Sequence, residues 1–446
     1  MINDIDSHTT KAQESGRLPW LLFIFLAIVF FFAYHDVSQS QNLGGDQTTE
    51  DLVATLSQGQ LGRRLALLSL GVVAIVSLVR GPAKKRLSTQ GPLGWLLVGF
   101  LTWALLSPVW AQDPSQTVKK LAVFAILCLG AVALVRRLSL REIVLWTFFT
   151  SSAFLVIGIL VAIVNGTFEP FSPGYRFAGT LPPNNEGINC ALLILSAMTL
   201  ADLMKPRRAL FWACGSIALV FLILSGSRTG TAATIVAAVI YLAVVRSKST
   251  KFAMALSAAM AICFLAFFVG TGLMPGLKNV VLLGRDDGGA DTFTGRTGIW
   301  EDVNPYIHQA PIAGYGYGGF WTPAHIEAVS DQEQWAVGNG HSAYIDFLLM
   351  LGTLGLIAFV LILIFGISYA FRAFKFSRRP AFAFCGVVLV FCAMDGLFES
   401  DINEGSLLMF VSTIILVRLA FVPLYRTLRI PSKVPSSSQM DLVAHA

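Results

Sequence analysis

Twelve apolar runs, each near the length of a membrane crossing, leave this chain little freedom in what it can fold into. They lie at 19–36, 62–80, 92–110, 118–135, 143–164, 187–204, 209–225, 229–245, 252–274, 342–370, 380–398 and 405–425. A helix needs roughly 20 mostly apolar residues to cross a bilayer. In hydrocarbon every backbone polar group must be bonded internally, so such runs predict helices. The expected fold is an all-α polytopic membrane protein with about 12 transmembrane helices, residues 1–446 forming one integral domain. Charged residues make up 13% of the chain, against roughly 25% in soluble domains. A disordered chain is excluded, and a pair of ordinary soluble domains does not fit. The run at 19–36 has no small-residue cleavage site, so it reads as a helix rather than a signal peptide.

The net charge of +6 resolves by position. Lys and Arg cluster in alternate loops: Arg80 to Arg86, Arg136 to Arg141, Lys205 to Arg208, Arg246 to Lys251 and Arg372 to Arg379. Both termini share that side, which the positive-inside bias makes cytoplasmic. On this topology the inner side carries 22 basic and 6 acidic residues, the outer side 9 basic and 20 acidic, and Arg418 inside the last helix completes the +6. Basic clusters that alternate with spans suit topology and give no reason to expect a nucleic-acid partner. The six cysteines all fall inside apolar runs without CxxC spacing, so neither a disulfide framework nor a zinc site is expected. Two outer segments are too long or too polar for turns: 165–186, and a long periplasmic loop at 275–341 between helices 9 and 10, with a helical stretch at 298–308. Long loops on a rigid scaffold commonly carry function. Residues 431–446 read as a disordered cytoplasmic tail.

Three arginines on the outer side run against the charge bias. Arg176 sits in PGYRFAGTLPPNNEG, Arg228 in the short turn LSGSRTGT, and Arg296 in TGRTGIWEDV. Guanidinium is the side chain best matched to bidentate phosphate binding. Each could instead be a solvated loop residue or the partner of a nearby carboxylate. His341, in GNGHSAYIDFLLMLGTLG, opens the tenth helix and has the ordinary pKa of a base near neutrality, or else it is an interfacial histidine. Asp346 lies five positions on, about 140° around a helix, too far to orient that ring directly. Asp395 is near the outer end of its helix, where it could reach water. Arg63 and Arg64, and Lys119 and Lys120, begin outer helix ends and suit lipid headgroups. GYGYGG at 314–319 follows no expected strand, so a dinucleotide reading has no context. There is no metal-ligand cluster to read, and no cofactor is called for.

Four of these segments together resemble the O-antigen ligase and O-antigen polymerase superfamily of bacterial membrane glycosyltransferases. Arg176 and Gly187, with ten residues between them, look like the Arg-x10-Gly loop of the polymerases. LSGSRTG is similar to the family's Ser-Arg turn, and GRTGIWEDVNPYIHQAPIAGYGYGGF to its Arg–Trp helix and Pro–Gly segment. His341, Ser342, nine residues, Gly352 and Gly355 fit the ligase-type pattern. The resemblance implies a GT-C-like fold in the bacterial inner membrane with the active site on the periplasmic side. It implies metal-independent, inverting glycan transfer from a polyprenyl-diphosphate-linked donor to lipid A–core or to a growing glycan. Arg176, Arg228 and Arg296 would bind the diphosphate and His341 would activate the acceptor hydroxyl. The His341 pattern leans to a ligase and the Arg176 pattern to a polymerase; an exopolysaccharide polymerase stays open. The rival from another class is a secondary transporter or lipid-linked glycan flippase, which Asp346 keeps in play.

Overall fold

The computed structural model describes residues 17–36, 48–50, 53, 61–80, 87–89, 91–246, 296–400 and 406–423. Among these the chain is helical, with no strand. The main helices are α1 (Arg17–Tyr34), α2 (Leu61–Arg80), α3 (Gly91–Leu106), α4 (Pro114–Arg137), α5 (Leu140–Val164), α6 (Pro183–Leu203) and α7 (Arg208–Leu224). They continue with α8 (Arg228–Arg246), α9 (Arg296–Gln309), α10 (Pro323–Glu333), α11 (Ala343–Ser377), α12 (Pro380–Asp395) and α13 (Leu407–Phe421).

Eleven of the twelve apolar runs coincide with helices, and the run at 252–274 lies outside the described residues. Eight described helices are long and apolar enough to cross a membrane. The apolar stretches Trp20–Tyr34, Pro380–Asp395 and Leu407–Phe421 are shorter. This is the organisation of a multi-pass membrane protein. Local signals set the boundaries. Asp113 caps α4 by accepting from the Gln116 N–H at 2.9 Å, and Ser139 and Glu142 form a capping box at α5. Pro183 begins α6 four residues before the expected start, because proline suits the first helical turn.

Helix α6 is the central pillar. Every residue from Glu186 to Ala201 is buried, and the helix packs against α5, α7, α8 and α12. A helix apolar on all sides belongs inside a bundle. On the face crowded with Lys and Arg, the Arg137 guanidinium bonds Ser77 and Arg246 pairs with Asp202 at 3.0 Å. The opposite ends of the helices carry the site.

The tenth run, expected as one helix over 342–370, is broken at Gly352 (φ 66°, ψ −167°). A side chain there would run into the Ile312 carbonyl, since the 310–315 segment fills the break. The freed backbone groups find new partners: Thr353 N–H donates to Pro311 O (2.9 Å), Tyr315 N–H to Leu349 O (2.8 Å) and the Trp103 indole to Leu351 O (3.1 Å). Non-helical backbone at this depth is tolerated because it is wrapped in protein. The glycine pattern after His341 therefore marks a break in the helix.

The described part of the long loop, 296–341, is folded. Helices α9 and α10 enclose a small separate core of Ile299, Val303, Phe320, Val329, Val337 and Leu349. The helical stretch expected at 298–308 is α9, while α10 was not foreseen. Its start is written as Thr322-Pro323, the Thr322 hydroxyl accepting from the His325 N–H. GYGYGG forms a docking loop: Gly314, Gly316 and Gly318 have positive φ and lie against the helix-break backbone, Ala111 and Lys120.

Candidate active site at the outer helix ends

A cavity of about 1110 Å³ opens where the outer ends of α1, α2, α4, α6, α11 and α13 converge. Farther along the helices its lining is apolar, with Phe30, Leu67, Val123, Leu192, Met350 and Leu408. At the mouth it is polar and charged. The combination suits an amphiphile with an ionic headgroup.

Arg176 lines this cavity and is held firmly. Its Nε donates to the Ser225 carbonyl at 3.0 Å and one terminal nitrogen to Asn184 Oδ1 at 2.7 Å. Asn184 Nδ2 donates to Glu399 Oε1 at 2.9 Å, and the Arg296 guanidinium reaches the same oxygen at 2.7 Å. Two of the three sequence-selected arginines thus meet through Asn184 and Glu399. The Arg-x10-Gly spacing also acquires a physical basis. Arg176 and Gly187 grip the Ser225–Ser227 turn from its two sides, with Gly226 against the Arg176 side chain and Gly187 against Ser227. A Cβ on Gly187 would come within 2.7 Å of Ser227. Arg228 begins α8 directly after this turn and is not among the residues that line the cavity.

Arg296 and Trp300 are one helical turn apart on α9, so they share a face. Arg296 takes Glu399, and the Trp300 indole donates to the Gly340 carbonyl at 2.9 Å and stacks on Phe398. The Arg–Trp helix therefore clamps the segment just before His341 to the segment after α12. From the other side, Asp346 Oδ1 accepts from the Gly340 N–H and the Trp321 indole, both at 3.0 Å. Asp346 is thus a scaffold for the backbone beside His341. Asp395, expected near water, is instead fully buried, and neither carboxylate oxygen has a hydrogen-bond partner among the described residues.

His341 does not begin the helix. It precedes α11 by two residues, with its backbone in the left-handed region (φ 45°) and its N–H donating to Asn339 Oδ1 at 2.9 Å. A non-glycine residue there is strained and persists only where its surroundings enforce it. The Ala343 N–H bonds both Gly396 O and Glu399 O, tying this corner to the α12 end. The ring lines the cavity beside Trp335. Burial, and then the nearby Arg296 charge, push its pKa down to about 4, so His341 is neutral at pH 7. His35 also lines the cavity and shares a 2.8 Å hydrogen bond with Thr180.

Sequence reasoning missed Asn184 and Glu399, which bond each other across 215 positions. It also assigned Arg63, Arg64, Lys119 and Lys120 to headgroup anchoring, whereas all four line the cavity. Among the described residues, no group of three or more His, Cys, Asp or Glu side chains is placed to hold a metal ion.

This geometry defines a class: a multi-pass helical membrane protein with a cationic, lipid-sized cavity at one membrane face. A family model described as O-antigen ligase (Wzy_C) matches residues 213–360, a span that includes Arg228, Arg296, His341 and the Gly352 break. The chain is also 23% identical over 299 residues to the exopolysaccharide production protein ExoQ of Rhizobium meliloti (strain 1021). That alignment covers 63% of this chain and 66% of the relative, just under two thirds of its length. The two matches support the resemblance to the O-antigen ligase and polymerase superfamily.

Proposed function

We propose that this protein transfers a glycan from a polyprenyl-diphosphate-linked donor to a hydroxyl acceptor at the outer face of a bacterial inner membrane, as an O-antigen ligase or polysaccharide polymerase. The observation that carries the reading is one cavity wall on which Arg176, Glu399 and a neutral His341 converge, with Arg296 bound to Glu399 behind it. Twelve crossings with both termini cytoplasmic remain the topology we favour.

In the reaction the acceptor oxygen forms a bond to the anomeric carbon. The bond from that carbon to the diphosphate oxygen breaks, and its electron pair leaves with the diphosphate. Attack from the opposite face inverts the anomeric centre. Negative charge grows on the leaving group, so prepositioned guanidinium groups stabilise the transition state more than the ground state. Arg176 fills this role at the cavity wall, with Arg296 behind it through Glu399, and Arg228 at the start of α8 as the third cation. The acceptor proton passes to a His341 ring nitrogen. A bound diphosphate would offset the Arg296 charge that helps hold His341 down, making the base stronger when the donor is present. The acceptor is lipid A–core in a ligase and a carrier-linked glycan in a polymerase. The strongest pointer to a transporter was Asp346, and its engagement with Gly340 and Trp321 removes that support.

The test supplies purified protein with a lipid-diphosphate glycan and candidate acceptors, with and without chelator. Transfer that survives chelator and is lost in His341→Ala supports the reading. Wild-type transfer rates in that variant would exclude His341 as the base, and glycan translocation without transfer would favour the flippase.

A further inference from the structure

A short distance before His341 in the chain, Trp335 also lines the cavity. It keeps 43% of its surface exposed. Its ring centroid lies 5.5 Å from that of His341, with the two planes tilted by 46°. An indole open to water is a favourable surface for any apolar face that can cover it. Tryptophans near a membrane interface commonly meet lipid headgroups, but this one belongs to the cavity wall and touches the histidine.

The ring is held in place. Gln334 closes α10 in the left-handed region (φ 62°), a position that usually takes glycine or asparagine. His341 (φ 45°) lies at the other end of the same segment, so two of the three non-glycine residues at positive φ among the described residues bracket Trp335. Such backbone persists where the surroundings enforce it, and it gathers at functional sites. Between the two, Val337 is buried in the small core and its N–H donates to Ser330 Oγ at 2.9 Å. The Glu333 carboxylate accepts from the Trp335 indole N–H. That carboxylate lies over Gly298 of α9, where a Cβ would collide with it. One edge of the indole is thus tied to α9 and α10 while the ring stays open to the cavity.

The chemistry of the wall fits one kind of guest. A pyranose carries hydroxyls around its rim and C–H bonds on its faces. Those C–H hydrogens are weakly positive and the face of an indole is negative, so the two stack. Asn184, Asn185 and Asn339 line the same opening and carry the amide groups that suit rim hydroxyls. A sugar lying on the indole extends past its edge, towards the imidazole beside it. A general base must come within hydrogen-bond reach of the hydroxyl it deprotonates.

We infer that Trp335 is the platform on which the acceptor sugar stacks, so that a rim hydroxyl is delivered to His341. This deepens the transfer reading and rests on it for the word acceptor; stacking of a sugar on Trp335 does not depend on it. The acceptor residue is then a pyranose with a continuous C–H face, and the hydroxyl that attacks is one that stands out from its rim.

The experiment uses the full-length protein in nanodiscs and saturation-transfer-difference NMR. The probes are methyl β-D-glucopyranoside, methyl β-D-galactopyranoside and methyl α-L-rhamnopyranoside, with ribitol as a polyol that has no ring face. At least one pyranoside is expected to be saturated through its ring C–H protons, and ribitol is not. The signal should be lost in Trp335→Leu and kept in Trp335→Phe, which retains an aromatic face. No saturation of any pyranoside, or equal saturation in wild type and Trp335→Leu, overturns the platform. In the transfer assay, Trp335→Leu should lower the acceptor kcat/KM roughly tenfold, with the donor KM unchanged and Trp335→Phe recovering most of the loss. A rise in donor KM instead gives the ring to the donor sugar and overturns the assignment. Should Trp335→Leu not fold, Glu333→Ala releases the indole without removing it, and a smaller loss of the same kind is expected; no loss overturns the platform. Ring saturation without glycan transfer leaves the platform standing and defeats the transfer reading. Transfer with unchanged acceptor constants in Trp335→Leu does the reverse.

Discussion

The two walls of the cavity use positive charge in opposite ways. On one, Arg176 and Arg296 are locked by the Ser225 carbonyl, Asn184 and Glu399, and His341 is held in a strained backbone conformation. On the other, Arg63, Arg64, Lys119 and Lys120 are solvent-exposed at helix starts. A rigid, charge-matched wall is suited to groups whose charge changes during a reaction, because its dipoles need no reorganisation. An exposed wall is suited to drawing an anionic lipid into the opening, a step in which no charge changes. The difference separates chemistry from binding, and substitutions on the two sides should divide between kcat and KM.

The largest effect is expected at the rigid wall. His341→Ala should lower the transfer rate by roughly 10²- to 10⁴-fold, while undecaprenyl diphosphate still binds. Loss of binding in that variant would show that the histidine serves the headgroup and would blur the distinction between walls. Arg176→Lys comes next. It keeps the charge but loses the fork that reaches Ser225 and Asn184 together. A drop in kcat of roughly 10²- to 10³-fold is expected, in line with loss of one preplaced donor. A thermal melt is needed alongside, because the same guanidinium supports the Ser225–Ser227 turn. A pure KM effect would move Arg176 to the binding side.

The pH profile gives a smaller and sharper test. His341 accepts a proton only while neutral, and its pKa is held down to about 4 by burial and then by Arg296. The acid limb of kcat/KM should therefore fall through about pH 4. Arg296→Gln removes one lowering cause, so the limb should move to higher pH. Burial, the larger cause, should keep it below the ordinary histidine value of 6.5. A limb that stays in place in that variant would mean the charge of Arg296 does not reach His341. Stability follows the same sign. The unfolded chain binds the proton more readily, so this residue's contribution is present above pH 6.5 and is lost as pH falls towards 4.

What could be read in advance depended on how local each signal was. The helices were legible because lipid leaves an apolar run few alternatives, and Arg228 follows a turn as short as LSGSRTGT suggests. The helix at 298–308 was legible, while its start at Arg296, which puts Arg296 and Trp300 on one face, was not. Glu399 was not, because it acts through Asn184, 215 positions away, and Arg296, 103 positions away. The break at Gly352 was hidden for a different reason. Glycine inside an apolar run reads like any tolerated helix glycine, and only the 310–315 segment inserted there forces the positive φ. The cations of α2 and α4 were visible as residues. Their common cavity was not, since it depends on how α1, α2 and α4 pack.

The smallest expected effect tests how the exposed wall is built. Gly318 has φ 65°, and a Cβ there would lie 2.8 Å from Lys120 Cγ and 3.0 Å from its Cβ. Gly318→Ala therefore adds backbone strain and pushes the Lys120 stem from its seat. The backbone term alone costs about 1 kcal/mol, small enough for the protein to fold. If the exposed wall binds the anionic donor by holding Lys120 in place, the donor KM should rise a few-fold with kcat unchanged. If it acts only through loosely held charge, Lys120 should find the anion from its new position and the KM should not move. Repeating the measurement at high salt distinguishes the two, because loosely held surface charge is screened beyond about 3 Å at 1 M ionic strength and a seated contact much less so. A salt-insensitive rise in donor KM would mean that the second wall, too, is partly preorganised, and the contrast with the first would narrow to the Arg63 and Arg64 side of the cavity.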